Sequence, residues 1–318
     1  MTRVICLYIS VLCLSALCAT SCSDTTLSSP REIRIAFYNT ENTFDTIDDT
    51  LTDDDDFTLQ GERLWTDMKY LQKIENISSV IHSIDASIIG LCEVENDDVL
   101  EDLTAKSRCK SNKNYRYITI DSGDERGLDP AIIYDNDILH YISHDSINAP
   151  YSTRSMMEAT FKIKGTDDTL RALVCHWTSR YMGRKATEKS RLSQAERAAR
   201  WVKDIPPHHL VVVMGDFNDE IKDASLRYFS MLVPHMNSHH TENNHSYYYQ
   251  GRWYAFDQIF TNFVPNAVPY SVYKDSSMLN ESKYPRRTYA SERYIGGYSD
   301  HLPVYIDYTL NTDNKLSR

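Results

Sequence analysis

Leu210-Val211-Val212-Val213-Met214-Gly215-Asp216-Phe217-Asn218-Asp219 is the stretch on which the reading of the whole chain turns. Five apolar residues run without alternation, then stop at a glycine and a group of polar residues. An unbroken apolar run of this length reads as a strand buried on both faces. Gly215 lets the backbone leave the sheet with no Cβ in the way. Asp216 and Asn218 lie two apart and project to the same side of the emerging chain. Sites in α/β sheets lie where strands end. Chemistry is therefore expected here, with partners at other strand ends.

Working back from this strand, Pro206-Pro207 stops a helix over residues 187–203. Leu192, Ala195, Ala199 and Val202 form one face of it, and Lys189, Arg191, Arg197 and Arg200 the other. A hairpin precedes it, Met156–Lys164 returning through Leu170–Cys175. Earlier, Ile33–Tyr38 reads as the first strand. Leu71, Ile74, Ile77, Ile81 and Ile84 recur at helical steps over 67–84, and Ala86–Leu91 is a second strand, so strand, helix and strand suggest a crossover unit. A polar helix follows around 97–107. Further strands are expected at 115–120, 131–134 and 138–143. Beyond the opening stretch come a short helix at 222–231, a loop with His235, His239, His240 and His245, a strand at 254–261, a long loop at 274–297 and a last strand at 304–309. The aspartate-rich run 45–56 reads as a solvated loop, since it lacks EF-hand spacing.

The chain has 318 residues and a formal charge of −11. The length suits one large α/β domain. The charge argues against a broadly basic nucleic-acid-binding surface, although it is compatible with a local basic rim around an acidic, metal-binding cleft. Arg3, an apolar run from Val4 to Leu17 and small residues before Cys22 make a secretory leader over 1–21. Ala19-Thr20-Ser21-Cys22 resembles a bacterial lipobox, with Cys22 as the lipidated mature N-terminus. A plain cleaved leader or an uncleaved anchor is the alternative. Residues 22–32 then form a polar tether, 33–310 the domain and 311–318 a polar tail. An exported, membrane-anchored envelope lipoprotein, monomeric, is the expectation. Cys92 and Cys175 sit in apolar runs and read as buried hydrophobes, a disulfide between them being the lesser alternative.

Five strand ends carry polar groups: Asn39, Glu93, His176, Asp216 with Asn218, and Ser299-Asp300-His301. A sixth strand carries Asp257 among apolar neighbours, where a carboxylate needs a partner, and a histidine partner would make it catalytic. Singly, each reads as a cap, a turn or a satisfied core residue. Together, oxygen ligands suited to Mg²⁺ and imidazoles facing a phosphoryl group make a plan for phosphoester hydrolysis.

These motifs in this order (Asn39, Gly90-Leu91-Cys92-Glu93, His176, Gly215-Asp216-Phe217-Asn218, Asp257 and Ser299-Asp300-His301) resemble those of the endonuclease/exonuclease/phosphatase family, over residues 33–309. The resemblance implies a four-layer α/β sandwich of two packed mixed β-sheets flanked by helices. It implies metal binding by Glu93, with Asn39 fixing metal or phosphate and Asp300 near the metal. Asp216 would position or deprotonate the attacking water, and Asn218 bind phosphate. His301, oriented by Asp257, would act on the phosphate or as general base. His176 would donate to a phosphate oxygen. Cys92 stands where many relatives have glutamine. The metal is expected to be Mg²⁺, with Mn²⁺ or Ca²⁺ also accepting such ligands. Arg180, next to His176, and Arg126 are candidate substrate-binding residues. The rest of the basic 177–200 segment reads either as a phosphate grip or as a solvated face. Trp253 and Tyr298 read as stacking platforms or as packing, and Asp129 as a weaker site candidate. An endonuclease-like phosphodiesterase leads, acting on a phosphodiester or phosphomonoester, with nucleic acid favoured. An inositol-phosphate phosphatase or sphingomyelinase-like phospholipase is the alternative, and a non-catalytic surface binding module the reading from another class.

Overall fold

In a computed structural model, which describes residues 31–264 and 270–310, the opening stretch is strand β8 (Leu210–Asp216). Its side chains alternate between two buried faces. Val212 and Met214 enter a core between two sheets, and Val211 and Val213 a core beneath helices. Cover on both faces is what an apolar run without alternation encodes. Burial of each such side chain contributes about 1.5–3 kcal/mol, so a polar residue at Val212 would break the inter-sheet seam.

The remaining strands are β1 (Arg31–Thr43), β2 (Ile88–Val94), β3 (Tyr115–Thr119), β4 (Asp129–Asp135), β5 (Leu139–Ile147), β6 (Met156–Ile163), β7 (Thr169–His176), β9 (Asn237–Ser238), β12 (Asp257–Thr261), β13 (Ser271–Val272) and β16 (Val304–Leu310), with two small hairpins, β10 (Tyr247–Tyr249)–β11 (Arg252–Tyr254) and β14 (Tyr289–Ala290)–β15 (Arg293–Tyr294). One six-stranded sheet runs β13-β16-β1-β2-β4-β3, the other β5-β6-β7-β8-β12-β9. Each sheet has one parallel pair, β1–β2 and β7–β8, and is otherwise antiparallel. Helix α1 (Asp67–Ile84) crosses over between β1 and β2, and α3 (Glu188–Asp204) between β7 and β8. Helix α2 (Asp97–Lys110) joins α1 over the first sheet, and α4 (Ala224–Leu232) joins α3 over the second. The result is the expected four-layer sandwich. Both helices on the first sheet start at a side-chain cap: Thr66 accepts from the Lys69 amide, and Asn96 from the Val99 amide.

Several local expectations change. Strand β1 begins at Arg31 and passes beyond Tyr38 through an irregularity between Asn39 and Thr43, where Glu41 and Asn42 adopt left-handed backbone (φ 52° and 46°). Strand β12 begins at Asp257, because Tyr254 instead closes a hairpin on Tyr247. Gly215 stays inside the sheet; a Cβ there would lie 2.2 Å from the Cys175 carbonyl oxygen, so the close approach of β7 requires the glycine. Cys92 and Cys175 are free and buried in different cores, on opposite faces of the second sheet, and form no disulfide. The 45–56 run is only partly solvated, since Asp45 and Asp54 are buried. The expected leader, Cys22 and the 311–318 tail lie outside the described residues. Among those described, no helix is long and apolar enough to cross a membrane.

Candidate active site

The topology delivers the polar strand ends to one edge of the sandwich. Parallel neighbours bring their C-terminal ends there: Asn39 from β1, Glu93 from β2, His176 from β7 and Asp216 from β8. Antiparallel neighbours bring their beginnings. Asp257 opens β12 directly opposite Asp216, and His301 lies just before β16, which pairs with β1. Six positions spread over 263 residue numbers thus meet through strand direction alone.

His301 is buried. Its Nδ1 lies 2.7 Å from Asp257 Oδ2 and its Nε2 3.7 Å from Asp216 Oδ2. Ser246 donates to the same Asp257 oxygen at 2.5 Å, and Tyr247 stacks on the imidazole at 4.5 Å and 27°. Ser299 braces the turn, donating to the Asn39 carbonyl and accepting from the His301 amide. Burial pushes His301 down, but the Asp257 and Asp216 carboxylates outweigh it and raise the imidazole to about 10. Asp216 moves the other way for an acid: burial lifts it to about 7 despite the pull of His301.

His176 presents Nε2 to the same carboxylate at 4.0 Å and to Glu93 Oε1 at 3.6 Å. Its closest partner is Arg154 Nη1, at 2.9 Å. A guanidinium only donates, so Nε2 is the acceptor and the ring is the neutral Nδ1–H tautomer. Burial and then the Arg154 charge hold His176 well below its ordinary value. Burial alone would raise Glu93. A charge on His176 would pull it down most; with His176 neutral, the opposing pull comes from Arg126, Arg154 and the Asn42 amide (2.9 Å). Asn39 Oδ1 accepts the Glu41 amide, so its NH₂ group faces the carboxylates, donating to Asp216 at 3.1 Å and Glu93 at 3.4 Å.

A family model described as the endonuclease/exonuclease/phosphatase family matches residues 34–309. The chain belongs to this family. No curated protein matches it. Its fold is similar to that of a mannosyl-6-phosphatase from Bacteroides thetaiotaomicron VPI-5482, at 17% identity over 88% of this chain and 100% of that one, with a TM-score of 0.61. Truncated Caenorhabditis elegans TDP2 is similar at 14% identity, over 88% of this chain and 98% of that one, with a TM-score of 0.60. D. rerio TDP2 complexed with a single strand DNA product follows at 15%, 87%, 98% and 0.57. At these identities the likeness is one of fold.

In this family member the other candidate residues are placed as follows. Asn218 is in left-handed backbone (φ 50°), and its Nδ2 donates to the Trp177 carbonyl at 3.0 Å. Asp300 Oδ1 lies 4.0 Å from His301 Nε2, and Oδ2 accepts from Arg287 at 3.3 Å. Arg126 reaches Asn42 Oδ1 at 3.3 Å and pairs with Asp124. Asp129 accepts from the Ser122 amide. Arg180 departs from expectation. Its guanidinium is taken up by Asp219 and Asp223 and by the Asn218 carbonyl, so it braces the loop that carries Asn218. Arg184 is likewise paired to Asp223, and Arg191, read as part of an outward face, is fully buried 3.0 Å from Asp219. Trp253 and Tyr298 pack against the core beneath α1 and α2. His239 bonds Thr261 Oγ1 at 2.7 Å, and none of the loop histidines joins a metal-type cluster among the described residues.

Sequence reading missed Arg154, Arg287, Ser246, Tyr247, Lys73 and the acceptor role of Glu41. Lys73 is buried in α1, donating to Thr288 Oγ1 and the Tyr298 carbonyl, 4.0 Å from Glu41 Oε2; Glu41 accepts the Thr288 amide. Burial lowers Lys73 to about 8 and raises Glu41 to about 7. The only signal for Lys73 is a lysine on the apolar side of a helical repeat.

The donor set fits a hard divalent cation. Burial, with repulsion from Glu93, lifts Asp216 and Asp300, a penalty that a bound cation would relieve. Asp216, Asp257 and His301 also bring ligand atoms within 4.8 Å of one another. His301 Nδ1 is already bonded to Asp257, however, and Asp216 Oδ2 lies between His176 and His301, which leaves the carboxylates of Glu93 and Asp300 as the better cation donors.

Proposed function

We propose that this protein is a divalent-metal-dependent phosphoester hydrolase. The observation that carries the reading is Asp216, one carboxylate set between an imidazolium backed by Asp257 and a neutral imidazole backed by Arg154. Glu93 and Asp300 would hold the metal, Mg²⁺ by preference, which when bound polarises the phosphoryl oxygens. Asp216, held between the two imidazoles, accepts the proton of the attacking water. His301, charged at neutral pH, donates through Nε2 to the phosphate and stabilises the charge that builds there. Asn39 turns its NH₂ group inward and so serves the phosphate rather than the metal. Asn218 positions the Asp216 carboxylate, which accepts its amide at 2.9 Å.

Phosphate or alcohol release is expected to need added Mg²⁺ or Mn²⁺, to stop on chelation, and to fall about 10²–10⁴-fold in Glu93→Gln with the fold retained. Equal turnover in EDTA would reject the metal reading. Export and acylation at Cys22 are proposed from residues 1–22 alone. Wild-type protein should partition into detergent and Cys22→Ala should not; identical partitioning would reject the anchor.

A further inference from the structure

One cavity beside the site is not used by this chemistry. It is a cleft of about 270 Å³ between the β10–β11 hairpin and the 276–295 segment, lined among others by Tyr248, Gln250, Asn280, Tyr284, Arg287 and Asp300. Both walls are fixed to the catalytic centre. Tyr247, next to Tyr248, stacks on His301, and Arg287 bonds Asp300, whose other oxygen lies 4.0 Å from His301 Nε2. A group seated here would carry its phosphate toward His301 and Asp216.

We infer that this cleft takes the alcohol portion of the substrate and that this portion is a compact polyhydroxylated ring, a phosphorylated sugar of monosaccharide size. The inference rests on the hydrolase reading above. Its volume lies just below the roughly 300–1,000 Å³ of ordinary small-molecule clefts, which suits one ring and not a chain. Tyr248 and Tyr284 are stacked on one another at 3.5 Å and 9°, so no slot opens between them for a nucleobase. Gln250, Asn280 and Arg287 line the cleft from separate positions; with Asn280 Oδ1 accepting the Ser282 and Tyr284 amides and Gln250 Nε2 donating to Tyr249, the Asn280 NH₂ group, the Gln250 carbonyl oxygen and the Arg287 guanidinium are the groups that would meet hydroxyls. Two basic residues that a polynucleotide backbone could use, Arg180 and Arg184, are committed to Asp219 and Asp223.

The test compares kcat/KM with Mg²⁺ for hexose 6-phosphates, for p-nitrophenyl phosphate (a ring without hydroxyls) and for a short 5′-phosphorylated oligonucleotide. A hexose phosphate is expected to lead p-nitrophenyl phosphate by roughly tenfold or more. Gln250→Asn tolerates the left-handed backbone at this position (φ 46°) and should remove most of that lead through KM, with a much smaller effect on p-nitrophenyl phosphate, whose ring has no hydroxyl to bond. Preference for the oligonucleotide, no hexose phosphate turnover beside active p-nitrophenyl phosphate hydrolysis, or equal losses on both esters in Gln250→Asn would each overturn the cleft assignment alone. No hydrolysis of any ester would overturn the hydrolase reading and this one with it.

Discussion

His176 and His301 face the same Asp216 oxygen at 4.0 and 3.7 Å, and both are buried, yet their backing residues set them in opposite charge states. His176 closes β7 of the second sheet and meets a guanidinium. His301 precedes β16 of the first sheet and meets a carboxylate. Burial lowers both imidazoles, so the backing charge decides the outcome. The pair illustrates how two like side chains in one cleft divide into an acceptor and a cation without any difference in depth.

The comparison breaks most visibly at His301. His301→Gln keeps a donor but no charge, and is expected to lower kcat about 10²–10⁴-fold with little change in KM; retention of more than about a third of wild-type kcat would remove the imidazolium from the chemistry. Asp257→Asn should cost somewhat less activity and about 3–5 kcal/mol of stability, since it strands a buried charge. The sign of its pH dependence follows from His301. Its value is raised on folding, so the stabilisation is complete below the unfolded value of about 6.5 and is lost as pH rises through about 10. The stability gap between wild type and Asp257→Asn should therefore be widest below pH 6.5 and close toward pH 10, as urea unfolding at several pH values would record. A gap that widens with pH would contradict the assignment.

Much of this centre is legible in the sequence because strand direction places it. The apolar run 210–214 defines a strand covered on both faces, and the polar groups at strand ends then share an edge. What the sequence does not reveal is the backing charge. Arg154 lies in a polar loop before β6 and looks like an ordinary surface arginine, yet its Nε meets Asp124 and its Nη1 meets His176. Arg180 and Arg191 fail in the opposite direction. They look free in a basic segment but are consumed by Asp219, whose own place in the Gly215–Asp219 stretch suggests chemistry rather than bracing. Lys73 reads as an interruption of a helical face until Glu41 and the Thr288 loop are seen against it. Long-range ion pairs leave no periodic trace, whereas strands and helices do.

The most direct test is ¹⁵N NMR of the two imidazoles in the apo protein. At pH 8 His301 is expected to carry protons on both nitrogens, while at pH 6 His176 remains a neutral Nδ1–H ring whose titration moves upward in Arg154→Gln. Two imidazoles titrating together near pH 6.5, with Arg154→Gln changing neither, would contradict these assignments.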